Sequence, residues 1–89
     1  MNAVVKLTGY EKATELLTTI ATVPPGLVPF ARTVAGAPET DPGVAAMYPL
    51  TVPQARAIAA KADLALDPDQ FDYCLEAIAE DERSQARQV

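Results

Sequence analysis

Three short stretches of this chain carry the same helix-starting pattern, and they set the strongest expectation about its fold. Thr8-Gly9-Tyr10-Glu11 reads as a capping box. The Thr8 hydroxyl can accept from the amide at position 11, while Glu11 reaches back to the amide of Thr8. Thr51-Val52-Pro53-Gln54 repeats the box with Gln in place of Glu. Asp67-Pro68-Asp69-Gln70 repeats it again, with Pro68 at the first helical position, where its missing N–H costs nothing.

Apolar residues follow each box at helical spacing. A first helix is expected over about 9–21, with Ala13, Leu16, Leu17 and Ile20 as its stripe and Pro24-Pro25-Gly26 as its stop. A second is expected over about 26–35, carrying Leu27, Phe30, Ala31 and Val34. Pro29 then falls in its first turn and Gly36 ends it. A third spans about 52–63 with Ala55, Ile58, Ala59 and Ala62, and a fourth about 68–82 with Phe71, Cys74, Leu75 and Ile78. Asp41-Pro42 can cap a short fifth turn through Val44, Ala45 and Met47. Val4, Val5 and Leu7 are too few to assign.

These spacings predict an all-α fold of four main helices plus the short turn, in a bundle-like or orthogonal arrangement. One helical domain covers 1–82, and the polar residues 83–89 form a fraying tail. The expected core is Leu16, Leu17, Ile20, Leu27, Phe30, Val34, Ile58, Ala62, Phe71, Leu75 and Ile78.

With 89 residues, 6% aromatics and no Trp, that core is thin, which points to apolar surface completed by a protein partner or a second copy. The net charge of −5, from 12 acids and 7 bases, disfavours direct binding to a phosphate backbone and suits a basic protein partner. The lone Cys74 rules out an intramolecular disulfide. The opening residues lack the pattern of a signal peptide, and the apolar stretch 21–31 holds three prolines and is too short to span a bilayer. The expectation is a cytoplasmic protein with no membrane segment.

The chemistry of catalysis is mostly missing. There is no histidine, so neither a Ser-His nor a Cys-His pair can form within the chain. Ser84 is the only serine. Cys74, spaced with Phe71 and Ile78, reads as a small hydrophobe on an apolar face. Asp72 and Glu76 are too few oxygen ligands for a hard cation, and no glycine-rich loop could cradle a phosphate. No catalytic residue, metal site or cofactor is expected.

Two surfaces remain as candidates for protein contact. On a helix, Asp69, Asp72, Glu76 and Glu80 share one face by the i, i+3, i+4 rule. A solvated face is the simpler account of these acids, and a dock for a basic partner is the functional one. Val28 and Phe30 lie in the stiff, proline-rich stretch 23–30, where ordering on binding costs little. The functional expectation is a small, acidic, non-enzymatic interaction module, acting as adaptor, accessory subunit or inhibitor through helix surfaces. The alternative is a helix-turn-helix-like regulator built from the helices over 52–82, although Asp69, Asp72 and Glu76 would then face phosphates. A non-catalytic part of a larger enzyme complex ranks third.

Overall fold

Two of the three capping boxes do not start helices. A computed structural model of the chain describes residues 2–80, with side chains described for 4–78. It places strands β1 (Asn2–Glu11), β2 (Leu17–Thr22), β3 (Tyr48–Pro49) and β4 (Phe71–Glu80), and helices α1 (Val28–Ala35) and α2 (Val52–Ala62). The strands form one antiparallel sheet in the order β2-β1-β4-β3. The fold is therefore mixed α/β, a four-stranded antiparallel sheet with two helices. The all-α, helical-bundle expectation is corrected.

The first expected helix is a hairpin. Val4, Val5 and Thr8 on β1, and Thr18, Thr19, Ile20 and Thr22 on β2, include the β-branched residues that suit a pleated surface and lose rotamer freedom in a helix. The chain reverses through a tight turn in which the Glu15 amide donates to the Glu11 carbonyl (2.6 Å) and Glu15 has φ 60°. The register slips between Gly9 and Tyr10, so Thr18 is the extra residue of a β-bulge. Leu16, Leu17 and Ile20 were expected in the core. They are instead 65%, 42% and 53% exposed.

The fourth expected helix is β4. Phe-Asp-Tyr-Cys-Leu-Glu-Ala-Ile-Ala-Glu satisfies a helical stripe through Phe71, Cys74, Leu75 and Ile78, but it also alternates. Phe71, Tyr73, Leu75 and Ala77 fall on one face of a strand and Asp72, Cys74 and Glu76 on the other. Pairing decides between the two readings, because β4 lies between β1 and β3 and is bonded on both sides. The Asp67 cap survives only as a turn, with Gln70 and Phe71 amides donating to the Asp67 carbonyl (3.1 and 3.0 Å). The pair of helices needed for a helix-turn-helix is therefore absent from 52–80.

The middle of the chain matches expectation more closely. A 3₁₀ turn (Pro25–Leu27) leads into α1, whose second residue is Pro29, and Gly36 ends it at φ 75°. The second capping box is complete. Gln54 N–H donates to Thr51 Oγ1 (3.3 Å) and Thr51 N–H donates to Gln54 Oε1 (2.8 Å). The Gln54 amide also donates to the Val34 carbonyl (3.0 Å), tying α2 to α1. The short fifth turn is not a helix. Asp41 instead accepts from the amides of Ala45 (2.7 Å) and Ala46 (3.0 Å) and from the Tyr48 hydroxyl, closing a loop around buried Val44.

The core lies between one face of the sheet and the two helices. It joins Val5, Leu7, Tyr73 and Leu75 from the strands to Ala31 on α1, Ala55, Ile58 and Ala59 on α2, and Val23 and Val44 from the connections. Of the expected core residues, Ile58 and Leu75 are buried. Leu27, Phe30, Val34 and Phe71 are half-buried against that cluster, and Ala62 and Ile78 are half-buried. Small residues at the helix contacts let the layers approach closely. Gly9 serves the same end, since a Cβ there would meet Thr19 Oγ1 at 2.3 Å and the Tyr73 ring at 3.0 Å.

Candidate functional site

The two helices pack on one side of the sheet, and the candidate site lies on the other. The register assigns that side: Lys6, Thr8 and Tyr10 on β1 stand opposite Glu76, Cys74 and Asp72 on β4, with Ile20 and Thr22 beside them on β2. Among the described residues no helix packs on this face.

Its centre is a hydroxyl–carboxylate cluster. The Thr8 hydroxyl donates to Glu76 Oε2 at 2.7 Å and the Tyr10 hydroxyl donates to the same oxygen at 2.6 Å. Hydrogen bonds to an ionised acceptor are the strong kind, so this pair fixes the Glu76 side chain across the β1–β4 seam. Beside it, Lys6 Nζ donates to Thr22 Oγ1 at 2.7 Å. Lys6 and Thr8 are both buried. At the rim, Lys12 Nζ and Asp72 Oδ1 are 3.7 Å apart and exposed, a pair that adds little to stability.

The cluster controls protonation nearby. Acceptance by Glu76 holds the proton on Tyr10, and burial and the Glu76 charge push the phenol further above its usual range. Cys74 is a free, buried thiol. Desolvation first, then the charges of Glu76 and Asp72, push its ionisation upward. A thiol kept protonated is a poor nucleophile. Among the described residues no group of three or more His, Cys, Asp or Glu could hold a metal ion.

The described residues line clefts on both sides of the sheet. One, of about 190 Å³, lies on the open face between Tyr10, Glu11, Glu15, Met47, Asp72 and Cys74. The other, of about 260 Å³, lies under β2 on the helix side, against Leu7, Ala21, Leu64, Leu66, Phe71 and Tyr73.

Of the acids expected to share a helix face, Asp72 and Glu76 do share a surface, but it is a sheet face. Their i, i+4 spacing is even, so a period of two also brings them together. Asp69 sits in the turn before β4. Glu80 ends β4, and its side chain lies outside the described residues. Residues 81–89, which include the expected tail, lie outside them as well. Val28 and Phe30 are half-buried against the core, and Lys61 Nζ lies 5.6 Å from the centre of the Phe30 ring. That leaves them less surface for a partner than the stiff-segment reading supposed. The residues that sequence reasoning missed are Thr8, Tyr10 and Lys6. The signal was the alternation Val5-Lys6-Leu7-Thr8, which was too short to weigh against a capping box.

No helix among the described residues is long and apolar enough to cross a membrane. Comparison of the chain with protein-family models, with curated proteins and with solved structures gives no match.

Proposed function

We propose that this chain is a non-enzymatic interaction module that holds a protein partner on the face of its sheet away from the helices, in a cytoplasmic setting. The observation that carries the reading is the mixed polar and apolar make-up of this face, on which no helix packs among the described residues. The face away from the helices combines a rigid Thr8–Tyr10–Glu76 cluster with exposed Ile20, exposed Asp72 and the cleft beside Met47. Apolar groups beside fixed polar ones are what a specific interface needs. The acids of this face and the net charge of −5 favour a partner that brings basic and apolar side chains. The contact surface is thus the sheet and not the helices.

The test is capture from the native host with three baits: the wild-type chain, the double variant Asp72→Lys/Met47→Lys, and Arg56→Glu on the exposed side of α2. A protein that is retained by wild type and Arg56→Glu and lost with the double variant supports the reading. A wild-type chain recovered alone, or a partner held equally by all three baits, overturns it.

A further inference from the structure

The two edges of the sheet are built differently. One edge, β3, is two residues long and contains Pro49, and both features blunt strand addition. The other edge is β2, Leu-Thr-Thr-Ile-Ala-Thr, in which no charge, proline or glycine interrupts a β-favouring run.

The phase of the ladder says which backbone groups that edge offers. Val23 N–H donates to the Val5 carbonyl at 2.9 Å, and the register continues through Leu7↔Ala21 and Gly9↔Thr19. In an antiparallel pair, bonded and non-bonded residues alternate. Ala21 and Thr19 therefore bond inward to β1, and the N–H and C=O of Ile20 and Thr22 point outward from the sheet.

We infer that β2 pairs antiparallel with β2 of a second copy of this chain, about a two-fold axis at Ile20, to make one continuous eight-stranded sheet. Charge selects the occupant. The molecule carries 12 acids and a net charge of −5, so most of its surface repels a copy of itself. Residues 16–22 carry no charge, so here two copies meet without opposing acids. A strongly basic partner would find no acid in this strip to complement. The strip is also self-complementary. Centring the pairing on Ile20 sets the two Ile20 residues opposite each other and Thr22 opposite Thr18 of the second copy, and both kinds of pair suit a sheet. The bulge at Thr18 limits the pairing to a short stretch, and the blunted β3 edge stops growth at two chains. This inference rests on the sheet edge and is independent of the partner proposed for the open face.

The experiment uses the purified full chain. Its mass is followed by light scattering over roughly 1–300 µM, and amide exchange of Ile20 and Thr22 is read at both ends of that range. The expected result is a rise from 9.4 kDa toward twice that value. With it, exchange at both amides should slow by about tenfold or more at the high concentration. Ile20→Pro removes only an outward donor, which an edge strand tolerates, and is expected to stay at one-chain mass with its strand signal intact. Ile20→Thr keeps that donor and should still associate. Asp72→Lys/Met47→Lys should associate as wild type does, which separates this result from the open-face reading. Wild type remaining at one-chain mass, Ile20→Pro associating like wild type, or concentration-independent exchange at Ile20 and Thr22 each overturns the inference. If Ile20→Pro does not fold, exchange in the wild-type chain decides.

Discussion

Leu75 and Cys74 are neighbours on one strand, yet they answer to different surroundings. Leu75 is fully buried under the helices, in a layer of Val5, Leu7, Ile58 and small helix residues. Cys74 faces the other way, into a surface of hydroxyls and carboxylates. The helix side is held by area removed from water, which is non-directional and tolerates no lost volume. The open side adds directed hydrogen bonds from Thr8 and Tyr10 to Glu76. One face is held chiefly by apolar burial, and the other also by directed polar contacts.

Substitutions on the two faces test this contrast. The largest effect is expected on the covered face, where Leu75→Ala should cost about 2–5 kcal/mol in chemical denaturation, because the surrounding core cannot collapse into the space. That approaches the whole stability of a domain this size. A loss below about 1 kcal/mol would mean that the helices do not seal that face. Gly9→Val comes next, at about 1–3 kcal/mol, because its Cβ has no room between Thr19 and the Tyr73 ring.

On the open face the expected changes are smaller and more specific. Glu76→Gln should lower stability by about 1 kcal/mol, since an amide oxygen still accepts from Thr8 and Tyr10 but without charge. It should also bring the Tyr10 titration down toward its ordinary value in an ultraviolet pH scan. The sign for the wild type follows from linkage. Tyr10 has a raised pKa in the fold, so its contribution is complete below the unfolded value of about 10. That contribution is lost as pH rises through the folded value. An unchanged phenol titration in Glu76→Gln would remove the cluster from the account. Smallest of all, Ile20→Thr should shift stability by less than about 0.5 kcal/mol despite losing an Ile, because the side chain is 53% exposed. A larger loss at high protein concentration alone would report the paired edge.

The region around Val44 shows the same division between local and distant causes. Asp41 holds the loop by accepting from the Tyr48 hydroxyl first and then from two amides. These bonds depress its carboxyl below the usual range. Val44 takes φ 56°, an uncommon conformation for a β-branched residue. Its side chain is completely buried, and that burial compensates the strain.

What the residues determined without help was local. Thr51 and Gln54 cap α2, Gly36 ends α1, and the absence of histidine removes a whole class of chemistry. Each of these depends on groups within a few positions of one another. The tertiary structure decided the rest. Residues 2–11 and 71–80 pair across sixty or more positions, and no local signal carries that information. Leu16, Leu17, Ile20 and the Phe71–Ile78 run fit a period of 3.6. The chain nevertheless adopts a period of two, because long-range strand pairing outweighs helix preferences of about 0.7 kcal/mol per residue or less. The acids at 72 and 76 reached one face under either reading, because a spacing of four fits both periods. Only the register revealed that the face is a sheet and that Thr8 and Tyr10 stand across from them.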